Sequence, residues 1–181
     1  MTERRRATII APSLVVVNTG DGKGKSTAAF GIMLRSLARG WQVAVIQFIK
    51  SGKWKTGEEK MARRLGVEWL KGGDGFTWES PDLDESRGRA VAAWALARAT
   101  IAAGEHKLVV LDEITYPINY GWIDGDQVAA AIRKRPEHVS IVATGRHAPE
   151  ALLAVADTVT EMVKVRHAYD RGIRARRGID Y

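Results

Sequence analysis

The chain predicts a three-layer α/β fold built on a mostly parallel sheet, and three observations carry that reading. Short apolar runs alternate with stretches of helical pattern, as in sheets whose strands are linked by covering helices. A glycine-rich segment, Asn18 to Thr27, joins the first apolar run to the first helix-like stretch. Late in the chain, Leu108-Val109-Val110-Leu111 runs directly into two acids, Asp112-Glu113.

The strands expected from the apolar runs are Leu14–Val17, Val43–Phe48, Val67–Leu70, Leu108–Leu111, Val139–Ala143 and Thr158–Val165. A helix over Lys25–Arg39 stops before Gly40, and an alanine-rich one over Asp84–Ala103 stops before Gly104, glycine being the residue that closes helices most readily. Asp124 is a suitable cap for a helix reaching about Arg135, where Pro136 ends it, and a short helix follows Pro149. No repeat, low-complexity tract or linker interrupts this order. Residues 1–181 therefore read as one domain, with basic tails at 1–12 and 166–181.

Composition narrows the class. With 181 residues, 45% of them hydrophobic, the chain can bury a proper core. The absence of cysteine excludes a disulfide framework and any Cys-ligated zinc or iron–sulfur site. No apolar run approaches the ~20 residues that span a bilayer, and Met1-Thr2-Glu3-Arg4-Arg5-Arg6-Ala7 lacks a signal-like core after its charges. The expected location is the cytoplasm. The net charge of +7 is concentrated at the ends, in Arg4, Arg5 and Arg6 and in Arg166, Arg171, Arg174, Arg176 and Arg177. Such arginines are either solvated tails or contacts for a polyanion, whether nucleotide, acidic partner or nucleic acid, and composition does not choose.

The segment Asn18-Thr-Gly-Asp-Gly-Lys-Gly-Lys-Ser-Thr27 sits where a phosphate-binding loop belongs. Its glycines let backbone N–H groups turn inward around an anion, Lys25 reaches the outer oxygens, and the Ser26 hydroxyl is placed to ligate the accompanying Mg²⁺. The helix that follows adds its positive end. The usual pattern is G-x-x-x-x-G-K-[ST]; here Thr19 stands where the first glycine should be, with glycines at Gly20, Gly22 and Gly24. In phosphate-loop proteins of the RecA-like fold, an acid-ended strand lies beside the loop, so Asp112 or Glu113 can hold the metal, and Glu113 is by this logic either a metal ligand or a general base.

A third segment, Gly72-Gly-Asp-Gly-Phe-Thr-Trp-Glu79, carries two rings in a glycine-rich loop just beyond the strand Val67–Leu70. Phe76 and Trp78 are either anchors in the core or a platform for a large flat ligand at the sheet edge. Tyr116, Tyr120 and Trp122 add aromatics at the same edge. On residues alone, three activities remain open: transfer to a bulky planar substrate, a RecA-like ATPase stimulated by nucleic acid, and a small-molecule kinase.

Taken together, the chain resembles the ATP:corrinoid adenosyltransferases that act on cob(I)alamin and cob(I)yrinic acid a,c-diamide. The resemblance covers nearly the whole length: Thr19–Thr27, then G-F-T-W-E (Gly75–Glu79), V-L-D-E-I-T-Y (Val110–Tyr116), A-T-G-R (Ala143–Arg146) and the closing stretch His167–Tyr181. It implies that Co(I) of a corrinoid attacks the ribose 5′-carbon of ATP and expels triphosphate, so the nucleophile comes with the substrate and none is required of the protein. The shifted glycines are what this family shows, and ATP is expected to lie reversed in the loop.

Carried over by motif position, ATP is held by Thr19, Gly20, Asp21, Gly22, Lys23, Gly24, Lys25, Ser26 and Thr27, with Arg146 at phosphate or ribose. The amides of Gly22 to Lys25 and the Lys25 ammonium stabilise the leaving group. Ser26 and Glu113 are the implied ligands of Mg²⁺ or Mn²⁺, with Asp112 behind them or as a further ligand. Phe76 and Trp78 line the corrinoid and displace its lower axial ligand, which eases reduction of Co(II). The resemblance further implies a homodimer, a reduced flavoprotein as electron donor, and no nucleic-acid or membrane partner. Arg174 and Arg176 stand where relatives are expected to carry lysine and glutamine, which alters the geometry and charge of the tail.

Overall fold

A computed structural model describes residues 9–48, 56–71 and 83–180. Six strands form one sheet: β1 (Val15–Thr19), β2 (Val43–Gln47), β3 (Glu68–Lys71), β4 (Leu108–Asp112), β5 (Ser140–Thr144) and β6 (Thr158–Glu161). Their order is β3-β2-β4-β5-β1-β6, and every pairing is parallel. Between them run α1 (Lys25–Leu37), α2 (Gly57–Arg64), α3 (Leu83–Ala103), α4 (Thr115–Asn119), α5 (Gly125–Arg133) and α6 (Glu150–Leu153), with a 3₁₀ turn at Ala168–Arg171. No helix among the described residues is long and apolar enough to cross a membrane.

Strand side chains alternate between faces, and the two cores follow that parity. Val43, Val45, Leu108, Val110 and Val142 point to one face, where Ala29, Phe30 and Met33 of α1 and Ala62 of α2 cover them. Ala44, Ile46, Val109, Leu111, Ile141 and Ala143 point to the other, under α3, α5 and α6. The expected three layers are thus built on a sheet that is wholly parallel rather than mostly so. All five residues of β2 and of β4 are buried; the first four of each read as a continuous apolar run, and the fifth, Gln47 or Asp112, is polar.

Three helices were not expected from periodicity. Helix α2 has only Glu59 and Ala62 buried, so its apolar stripe is too thin to see. Its start was nonetheless written in the sequence: Thr56-Gly-Glu-Glu59 is a capping box, and the Thr56 hydroxyl accepts the Glu59 N–H at 3.3 Å. Helix α4 and the 3₁₀ turn are a single turn or little more. The expected strand Thr158–Val165 is shorter, ending at Glu161, because its neighbour β1 ends at Thr19, the residue paired with Glu161. Past that point the chain crosses over the glycine-rich loop instead.

Candidate functional site

The loop 20–24 leaves β1 at the carboxyl edge of the sheet, where open α/β sheets bind ligands. Thr19, in place of the usual glycine, has a use: its hydroxyl accepts the Ala148 N–H at 3.1 Å, tying β1 to the turn that carries Arg146. Gly20 and Gly22 are required by the chain leaving β6. A Cβ on either would lie 2.6 Å from the Met162 carbonyl oxygen, a clash with backbone that cannot swing aside. The Gly22 N–H donates to that same oxygen. Of the amides from Gly22 to Lys25 expected to face an anion, that of Gly22 donates to Met162 in this structure. Gly24, at φ 117, sits in the left-handed region and caps α1 without a side-chain bond, leaving the first amides of the helix to a ligand.

Lys25 is buried, and its Nζ donates to the carbonyls of Gly20 and Gly22, each at 2.8 Å. Burial holds its ammonium below the ordinary lysine pKa; Glu113 works against that, Arg146 adds to it, and Asp21 opposes it more weakly. Asn18 steadies the start of the helix, donating from Nδ2 to the Lys25 carbonyl at 3.3 Å.

Across the cleft stands the end of β4. Strand β5 separates β4 from β1, so the last residue of β5, Thr144, lies between the loop and the acids. Asp112 is fully buried; its Oδ2 accepts from Gln47 Nε2 and its Oδ1 from Thr144 Oγ1, both at 2.8 Å. The Thr144 hydroxyl in turn accepts the Glu113 N–H at 2.9 Å. Glu113 has φ 63, a left-handed backbone that a non-glycine residue rarely adopts, and its side chain lines the cleft while that of Asp112 does not. Burial, with Glu113 next, pushes the Tyr116 hydroxyl above its ordinary pKa.

The resulting cleft has a volume of about 230 Å³. From the expected site it gathers Asp21, Gly22, Lys23, Gly24, Lys25, Ser26, Thr27, Glu113 and Arg146. Thr19 and Gly20 do not line it but hold its parts, Thr19 through Ala148 and Gly20 through Lys25. Arg146 Nη1 stands 4.0 Å from Asp21 Oδ1, and Asn119 Nδ2 holds the carbonyls of Arg146 and His147 at 3.2 and 3.1 Å. Phe76 and Trp78 lie outside the described residues. Tyr120 and Trp122 stack on each other, ring centroids 4.8 Å apart, while Tyr116 reaches the cleft wall.

Sequence reasoning missed Glu58, His167 and Asp180, which also line the cleft. Asp180 forms an ion pair with Lys23 and accepts the Arg176 N–H at 2.7 Å. Those two contacts, the backbone bond first, hold its carboxyl below the ordinary range. The tail read as a basic arm thus delivers an acid to the loop. Among the described residues no three His, Asp or Glu side chains converge as a metal cage. Ser26 and Glu113, however, face one cleft, and a few protein oxygens with phosphate and water completing the shell is how Mg²⁺ is usually held. The donor set fits such an ion.

Comparison with known proteins finds a match between residues 12–181 and the family model for ATP:corrinoid adenosyltransferase BtuR/CobO/CobP. The chain is 40% identical over 168 residues to the corrinoid adenosyltransferase CobA of Salmonella typhimurium, covering 93% of this chain and 85% of that protein. It is 42% identical over 170 residues to a corrinoid adenosyltransferase of Pseudomonas aeruginosa, covering 93% and 83%. With one from a Sinorhizobium species the identity is 41% over 172 residues, covering 93% and 80%.

Proposed function

This chain belongs to the ATP:corrinoid adenosyltransferase family, and from that premise we propose how its own residues move the 5′-deoxyadenosyl group of ATP onto Co(I) of a corrinoid. The observation that supports the assignment of roles is the convergence of Lys25, Ser26, Glu113 and Arg146, from three separate segments, on one cleft.

The reaction forms one bond and breaks one. The electron pair of Co(I) makes the cobalt–carbon bond at C5′, the C5′–O bond breaks, and its pair leaves on the triphosphate. The protein supplies neither nucleophile nor base; it aligns C5′ with cobalt and stabilises a departing polyanion. The amides of Lys23, Gly24 and Lys25, the N-terminus of α1 and the Lys25 ammonium take the phosphates. A triphosphate beside Lys25 offsets the desolvation that lowers its pKa and favours the charged form. Arg146, braced by Asn119, meets phosphate or ribose. Ser26 Oγ and the Glu113 carboxylate would hold Mg²⁺ or Mn²⁺, which would supply positive charge to the leaving group. Asp112, fully buried and not among the residues lining the cleft, stands behind them and orients them through Gln47 and Thr144.

On the family reading, Phe76 and Trp78 meet the corrinoid in place of its lower axial ligand. The family reading adds a homodimer, a reduced flavoprotein as electron source and a cytoplasmic setting. The test is an anaerobic mixture of protein, Mg-ATP and chemically reduced cob(I)alamin. A light-sensitive alkylcobalamin with stoichiometric triphosphate is expected; ADP and phosphate without change in the corrinoid spectrum would overturn the reading.

A further inference from the structure

The bond geometry at the end of β5 points to a role for a residue that has no reason to touch either substrate. We infer that Thr144 is a positioning residue, whose hydroxyl sets the direction of the Glu113 carboxylate and thereby builds the metal–ATP site. The inference rests on the metal role of Glu113 given above.

Glu113 follows a strand but does not continue it. At φ 63 its backbone turns out of the sheet, a conformation that is unfavourable for a residue with a Cβ and persists only where neighbours enforce it. Two bonds from one hydroxyl do so. Thr144 Oγ1 accepts the Glu113 N–H at 2.9 Å and gives its single proton to Asp112 Oδ1 at 2.8 Å. The hydroxyl proton is thus directed by the carboxylate, and the lone pairs are left to face the amide. Asp112 is in turn held from its other side by Gln47 Nε2 at 2.8 Å. All three side chains are buried, with Thr144 and Asp112 fully so. Strands β2, β4 and β5 each contribute one member, so the turn at Glu113 is fixed to three adjacent strands at once.

The assignment is tested by following Mn²⁺ binding in the presence of ATP by electron paramagnetic resonance, without any turnover. Thr144→Val keeps the shape and removes the hydroxyl, and is expected to weaken Mn²⁺–ATP binding about tenfold, the usual scale for losing a group behind a metal ligand. Thr144→Ser is expected to bind within about twofold of wild type. Thr144→Val added to Glu113→Gln is expected to cost little further, since both act through one carboxylate. Should the valine variant not fold, Gln47→Leu carries the same comparison from the other end of the network.

If Glu113→Gln weakens binding while Thr144→Val is silent, or adds its full loss on top, the positioning role is overturned and the metal site stands. If Glu113→Gln itself binds Mn²⁺–ATP like wild type, the metal assignment fails and the inference falls with it.

Discussion

Replacing Gly22 by alanine tests the claim that the loop's glycines answer to Met162 as well as to phosphate. The new Cβ would stand 2.6 Å from the Met162 oxygen, 2.7 Å from its carbonyl carbon and 2.8 Å from the Val163 carbonyl carbon. All three are backbone atoms, so no side chain can swing aside. Reaching the 3.4 Å of ordinary contact takes a displacement of about 0.8 Å, the difference between 3.4 and 2.6 Å. A strain of that kind costs about 2 kcal/mol. The same movement stretches the Gly22 N–H bond to Met162, worth about 1 kcal/mol. Together these are about 3 kcal/mol, or roughly 6–12 °C in Tm for a chain of this size. The control is Gly88→Ala inside α3, where an added Cβ meets nothing within 4 Å; it is expected to stabilise by about 0.5–1 kcal/mol through helix propensity. Paired calorimetric scans check both signs. A Gly22→Ala protein melting at or above the wild-type temperature would refute the argument.

Three further outcomes are expected. Lys25→Met abolishes adenosyl transfer with the fold intact. Because the folded Lys25 pKa lies below the unfolded value of 10.5, the unfolded state binds more protons between the two. Wild-type stability relative to Lys25→Met therefore rises with pH across that window, which melts at a series of alkaline pH values will show. Asp180→Asn frees Lys23 and lowers the KM for ATP at low salt, an advantage that disappears at high ionic strength. Since the Asp180 carboxyl is held below its ordinary value of 3.8, the native contact persists above that pH and is lost as pH falls through the lowered value, read by the KM profile. Phe76→Ala impairs reaction from Co(II) with a protein reductant far more than from preformed Co(I); equal losses would assign the ring to packing.

The parts of the molecule that were legible are those whose cause is local. Residues 108–111 of β4 are buried with no polar partner to hold, and they read as an unbroken apolar run. Asp124 caps its helix two residues away, accepting the Asp126 N–H at 2.8 Å, so the start of α5 could be read directly. The network behind Glu113 could not. Gln47 and Thr144 are ordinary polar residues at strand ends, and their shared partner Asp112 lies 65 and 32 positions away. Only the strand order, with β5 placed between the loop strand and the acid-bearing strand, brings them together. The tail's contact with the loop was hidden for the same reason: arginines dominate its composition, whereas the residue paired with Lys23 is Asp180.

The glycines show a further difference between seeing a motif and knowing its cause. The spacing Gly20, Gly22, Gly24 marks a phosphate loop that departs from the usual pattern, but it does not say what each glycine is for. Gly24 serves the helix start, whereas Gly20 and Gly22 make room for the chain leaving β6. That chain takes the Gly22 amide, while Lys25 is bonded to the carbonyls on either side of Asp21. On the proposed reading, triphosphate would exchange the two carbonyl acceptors of Lys25 for phosphate oxygens without needing the Gly22 N–H. The Met162 contact would then hold the loop's shape while its cation changes partners, so that the chain leaving β6 would brace the proposed ATP site.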